Sequence, residues 1–203
     1  RTPNDPDSVR NAIQKITSID LKDGVRFNQN EIKLEQITND AEYGGFRVKI
    51  SAMVGGDWQR LQLDIGFGDE IVDGPVDMDY PTLLNFQAPN IKVYSLESAV
   101  AEKFEAIVSL GIFGSRMKDF FDIWFLMQNQ KLHPDRLRKA IHVTFNRRNT
   151  PVSDSQYIFS NEFRSDTEKL MQWQAFLRRT SIDEDLTFDE VVRQIAEFLT
   201  PHL

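Results

Sequence analysis

The chain has 203 residues, 40% of them hydrophobic, which is enough to bury a core in one domain or in two small ones. With 31 acidic residues against 24 basic, the formal net charge of −7 excludes a general nucleic-acid binder and leaves such contacts to a local basic patch. There is no cysteine, so disulfides and thiolate zinc sites are excluded; His133, His142 and His202 have no metal-ligand spacing, and no apolar run approaches the roughly 20 residues of a membrane span.

These features fit a cytoplasmic protein, and the start at Arg1 rather than Met points to an upstream part that is missing. The first element is PDSVRNAIQKI, where Val9, Ala12, Ile13 and Ile16 recur at helical spacing behind three possible caps, Asp5, Asp7 or Ser8. From Gly45 to Val54 apolar residues alternate with polar ones, GGD makes a turn, and Leu61, Leu63, Ile65 and Phe67 alternate again: a hairpin with one buried face. Pro75 to Asn90, with prolines at 75, 81 and 89, reads as an irregular crossing loop.

Beyond it the pattern becomes helical. Pro134 stands near one helix start, Thr187 and Glu190 are spaced as a capping box before VVRQIAEFL, and the polar run from Asn146 to Gln156 reads as a flexible connection. The expected architecture is α+β, with an α+β region over 1–95 and a helical region over 96–203.

A helix beginning near Leu96 places Leu96, Ala99, Val100, Phe104, Ile107 and Leu110 on one face, with Lys103 in its middle and Glu102 and Glu105 directed the other way. An ammonium on an apolar stripe needs a partner. It snorkels to water or meets a core carboxylate, or it is a point charge aimed into a cleft at a phosphate. The next helix, roughly Ser115 to Gln128, is apolar around most of its circumference, and its narrow polar stripe is Lys118, Asp119 and Asp122. That stripe is an outer edge or the lining of a pocket, and Lys118 and Asp122 also form an i, i+4 pair. On the hairpin, Asp64 lies on the face opposite Leu61 and Leu63, ahead of the glycine-rich GFGD, a placement suited to a divalent-metal and phosphate site.

The blocks LQLDIGFGD, PTLL, VYSLESAVAEKFEAIVSLG, SRMKDFFDIWFL and EFRSDTEKLMQWQAFLRR resemble, in order and spacing, the AbiEii/AbiGii family of bacterial toxin nucleotidyltransferases. The resemblance implies a nucleotidyltransferase-like fold: a small mixed sheet with flanking helices and an added helical C-terminal part. It also implies transfer of a nucleotide from an NTP, with Mg2+, to an acceptor that in some members is RNA, tRNA included, and a cognate antitoxin as partner. Carried over by residue, Asp64 is similar to the strand carboxylate of the metal site and Lys103 to the lysine that holds triphosphate. Arg116, Lys118, Asp119 and Asp122 resemble the last motif. Lys103, Arg116 and Lys118 are thus the nucleotide-binding set, and Asp64, Lys103, Asp119 and Asp122 the catalytic one.

One departure stands out. The family opens with a glycine-containing turn and a D-x-D pair of metal carboxylates, whereas Asp5 and Asp7 flank Pro6 at a helix start and read as cap or loop residues. The chain is therefore expected to lack its principal metal ligands. That leaves a toxin-type enzyme in its full-length form, or a catalytically silent protein that keeps the fold to bind a nucleotide or a partner. Finally, residues 131–148 hold Lys131, Arg136, Arg138, Lys139, Arg147 and Arg148 against Asp135. This run is either a solvated helix face or a footprint for RNA, with Arg147 and Arg148 as its contacts.

Overall fold

The computed structural model describes residues 5–37, 44–68, 71–182 and 185–203. The chain divides into two compact units, Arg1–Asp69 and Glu70–Leu203. The division expected at residue 95 thus lies earlier, because Val72 is buried with the helical core that follows it.

The first unit begins with helix α1 (Pro6–Thr17), in which Asp5 is the N-cap: its carboxylate accepts from the Ser8 N–H at 2.8 Å, and Pro6 occupies the first turn. Strands β1 (Arg26–Phe27), β2 (Lys33–Ile37), β3 (Gly45–Val54) and β4 (Asp57–Ile65) form one sheet. β3 is central: β1 and β2 pair in succession along one edge, and β4 pairs with residues 46–54 along the other. The β3–β4 turn is Gly55–Gly56 with φ of 60° and 98°, a two-residue loop that only glycine enters at both positions without strain. Asp57, expected in the turn, is the first residue of β4.

Val9 and Ile13 of α1 pack with Ile32 and with Phe46, Val48 and Ile50 of β3. β4 departs from the expected one-sided burial: Leu61 and Leu63, opposite Ile50 and Val48, remain 42% and 45% exposed. β4 is an edge strand among the described residues, and the side chains of α1 gather on the central strand rather than on it. All described strand pairings are antiparallel, which corrects the expected mixed sheet. β3 and β4 are joined by a two-residue turn rather than by the helical crossover that parallel pairing requires.

The second unit opens with a hairpin, β5 (Val76–Asp79) and β6 (Asn90–Val93), so the stretch expected to be irregular carries a two-stranded ladder. Eight residues suffice, because Pro81 and Pro89 fall in the connection, where no ladder hydrogen bond is asked of them. Helices α2 (Leu96–Leu110), α3 (Met117–Asn129), α4 (Pro134–Arg147), α5 (Ser155–Ile158), α6 (Asn161–Arg164), α7 (Thr167–Thr180) and α8 (Phe188–Leu199) complete it. Their core includes Phe104, Phe120, Ile141, Phe163, Trp173 and Phe188. Phe104 stacks on Phe159 with centroids 5.7 Å apart, and the Trp173 indole N–H donates to the Leu186 carbonyl at 2.6 Å. Thr187 caps α8 by accepting from the Glu190 N–H at 3.3 Å.

One expectation about charge and one about flexibility are overturned here. Glu105, read as solvent-facing, is 2% exposed. It accepts from the Arg148 guanidinium at 2.9 Å and from the Thr150 hydroxyl at 2.6 Å, and Arg148 also pairs with Glu102. At the other end of α2, Glu97 accepts from the His133 N–H at 2.8 Å. The two ends of α4 are thereby tied to the corresponding ends of α2, and the supposed flexible connection after Asn146 is held by Arg148 and Thr150. The apolar stripe alone could not reveal this, since α2 is packed from more than one side and its second buried face is polar. Arg148→Met, which leaves Glu105 buried beside a hydroxyl only, is expected to destabilise the protein by about 3 kcal/mol. Chemical denaturation of both forms measures this, and an unchanged midpoint and slope would contradict the clamp.

Candidate functional site

The site is built by the α2–α3 turn. α2 starts at Ser95, whose hydroxyl accepts from the Ser98 N–H at 3.1 Å, and it ends at Gly111 with φ of 49°. At Gly114 a β-carbon would come within 2.9 Å of Leu110 Cβ, so the chain can pass close to the end of α2 only with glycine there. The Gly114 carbonyl accepts from the ammonium of Lys169 on α7, a side chain 1% exposed that also lies 5.8 Å from the centre of the Phe163 ring. Burial pushes the Lys169 ammonium below its ordinary pKa, partly offset by Glu168 and Asp166. This buried lysine carries no signal in the pattern of α7, and sequence reasoning passed over it.

Across the turn, Asp119 and Asp122 are one helical step apart on α3 and both face α2. Lys103 Nζ lies 2.9 Å from Asp119 and 2.6 Å from Asp122. Lys118 reaches Asp122 at 2.5 Å and Arg116 reaches Asp119 at 3.4 Å. Of the two sequence readings of Lys103, the carboxylate partner is therefore present. Three cations surround two carboxylates, leaving a local excess of one positive charge. Exposure rises outward, from 27% for the Lys103 side chain to 53% for Arg116 and 72% for Lys118. Burial works against the Lys103 ammonium, but the hydrogen bonds to Asp122 and Asp119 outweigh it and hold its pKa above 10.5. For Asp122, burial raises the pKa, and Lys103 and Lys118 together bring it below 3.8.

Asp64 belongs to the first unit, on the exposed face of β4. Arg47, directly opposite it on β3, binds both of its oxygens at 2.8 Å, and Gln62 adds a longer contact at 3.4 Å. The hydrogen bond from Arg47 holds Asp64 below the ordinary carboxylate pKa. Asp69, the last residue of the GFGD turn, lies outside the described residues.

The family model for the nucleotidyl transferase AbiEii toxin of type IV toxin–antitoxin systems matches residues 1–194. The chain belongs to the AbiEii family. No curated protein and no solved structure gave a significant match. AbiEii membership makes the chain a toxin-type nucleotidyltransferase at the level of its family, and the mixed α+β architecture accords with that. No described helix is long and apolar enough to cross a membrane.

The described residues do not by themselves fit Mg2+. No group of three or more His, Asp or Glu side chains among them converges on one point, Asp64 is chelated by Arg47, and Asp119 and Asp122 are occupied by Lys103. Asp5, at D-x-D spacing from Asp7, caps α1 as the sequence suggested.

The structure brings Lys103, Arg116, Lys118, Asp119 and Asp122 together; it does not leave the 131–148 patch as a free basic face. Arg148 is engaged by Glu102 and Glu105, Lys139 and Arg136 face Asp73 at 2.8 and 3.6 Å, and Arg138 lies 3.8 Å from Asp135. Apart from Asp135, these carboxylates come from outside residues 131–148, which is why the local tally overstated the charge. Arg147, beside it, is half-buried at the end of α4. Of the two expected RNA contacts, Arg148 is thus committed to Glu102 and Glu105.

The linkage around Lys103 yields a pH test. Asp122, with a depressed folded pKa, contributes stability above its unfolded value near 3.8 and loses it as pH falls through the lower folded value; Lys103, with a raised pKa, contributes below 10.5 and loses it above. Lys103→Met should therefore be less stable than the parent at pH 7, and the gap should narrow as the pH drops below 4. Denaturation curves across that range measure it, and a gap independent of pH would contradict the coupling.

Proposed function

We propose that this AbiEii protein transfers a nucleotide from an NTP to an RNA acceptor, and that Lys103 with Lys118 and Arg116 receives the triphosphate. The observation that carries the reading is the Lys103 ammonium: oriented by two aspartates, fixed in its charged form, and open on one side toward two further exposed cations. Asp119 and Asp122 act as positioning groups that hold Lys103 until phosphate oxygens compete for its donors. In the transfer, an acceptor hydroxyl oxygen bonds to the α-phosphorus, the bond to the bridging oxygen of the β-phosphate breaks, and pyrophosphate departs as the hydroxyl proton is released. Cations beside the departing group offset its growing charge.

Asp64, in the first unit, is the described carboxylate whose strand position would suit a divalent metal, once released from Arg47. As the toxin half of a type IV system, the protein would act in the cytoplasm and be met there by a cognate antitoxin. A second reading, nucleotide or partner binding without transfer, is favoured by one feature: the bidentate Arg47–Asp64 pair holds that carboxylate away from a metal role.

The test offers each labelled NTP with Mg2+ and total bacterial RNA, and follows label entering RNA. Lys103→Ala is expected to lower transfer by roughly 100-fold or more, on the scale of removing one charge-stabilising donor. Transfer by the variant at the parent rate would overturn the assignment of Lys103. Calorimetric NTP binding by the parent with no transfer at all would favour the second reading.

A further inference from the structure

The site on α2 and α3 leaves the outer face of the first unit's sheet unexplained. Residues of β4 that alternate with Leu61 and Leu63 point to that face: Trp58, Arg60, Gln62 and Asp64 in order. Directly opposite them on β3 stand Met53, Ser51, Lys49 and Arg47, and Lys33 of β2 lies opposite Lys49 on the same face. A cleft of about 630 Å³ is lined here by Glu31, Lys33, Lys49, Ser51, Arg60 and Gln62 among others, so that three cations face one carboxylate of the lining.

The charges on this face divide into two groups. Arg47 is paired with Asp64, and Lys49 with Glu35 at 2.8 Å. Arg60 and Lys33 make no ion pair within 4 Å among the described residues and both are exposed, although Lys33 is near enough to act on the charge of Glu35. Trp58, the largest side chain of the chain's repertoire, stands 54% exposed at the end of the row. Unpaired cations within an acidic chain, beside an uncovered indole, match the requirements of a single strand of nucleic acid: phosphates for the cations and an unstacked base for the ring. A duplex would present neither an exposed base face nor a backbone narrow enough for one strand row. Along β4 the step of about 3.4 Å per residue sets Trp58 roughly 20 Å from Asp64, the length of a few nucleotides.

We infer that the outer face of β4 is a docking track for single-stranded RNA, with Trp58 stacking a base and Arg60 and Lys33 holding phosphates. The inference rests on the RNA acceptor of the proposed function and adds where the acceptor lies.

The test is fluorescence anisotropy of a labelled single-stranded RNA of about 12 nucleotides, without NTP or metal, at several salt concentrations. Trp58→Ala is expected to weaken binding about 5- to 100-fold with the salt slope unchanged, on the scale of one stacked base. Arg60→Ala should weaken it and flatten the log–log salt slope by about 0.7 for the one phosphate lost. Both substitutions sit on exposed strand positions, and circular dichroism verifies that the fold is retained. Affinity unaffected by either change, or a duplex RNA bound as tightly as the single strand, would overturn the track. Nucleotide transfer is measured separately: a parent that binds RNA through Trp58 and Arg60 yet transfers nothing would leave the track standing and refute the enzyme.

Discussion

One ammonium between two helices organises the second unit. Lys103 enters from α2, Asp119 and Asp122 enter from α3, and the three groups compensate one another's burial only if the helices meet at that register. Either helix alone would carry an uncompensated charge on a largely apolar surface, which is costly. The features around the pair serve the same register: the close passage at Gly114, the Lys169 ammonium on its carbonyl, and the packing of Phe120 against Phe188 at 5.1 Å. A charge held in this way is both structural and available, because Lys118 and Arg116 extend the positive excess to the surface.

That dual character explains what the sequence could and could not disclose. Periodicity was enough to find α1 with Asp5 among three candidate caps, the β3–β4 hairpin with its glycine turn, and the anomalous lysine on the stripe of α2. It was also enough to single out Lys118, Asp119 and Asp122, since they form the polar gap in an otherwise apolar α3. Whether Lys103 faced a carboxylate or open space depended on the turn at 111–116, a three-dimensional fact that periodicity does not encode. Glu105 was misread for a related reason. A glutamate off the apolar stripe looks solvated until a distant arginine, here Arg148, arrives from the end of another helix. The 131–148 patch failed the same way: Asp73, Glu102 and Glu105 lie far away in the chain and close in space.

The first unit shows the opposite imbalance. Its buried residues are few and centred on β3, while β4 is exposed on both faces, with apolar Leu61 and Leu63 on one and Arg60 and Trp58 on the other. The alternation along β4 was legible, but its burial was not, because burial depends on whether a neighbour covers the edge. Strand alternation assigns faces, and only packing decides which of them water reaches. The family match over residues 1–194 spans both compact units.

The account depends most directly on Lys103 exchanging carboxylate partners for phosphate. Side-chain nitrogen NMR of a lysine-labelled protein, titrated with a non-hydrolysable NTP analogue, observes that exchange at the atom concerned. The Lys103 resonance, assigned by its loss in Lys103→Met, should move and saturate at the same ligand concentrations that complete the calorimetric binding curve. Nucleotide binding that leaves the Lys103 resonance in place would contradict the central claim and confine the lysine to holding α2 and α3 together.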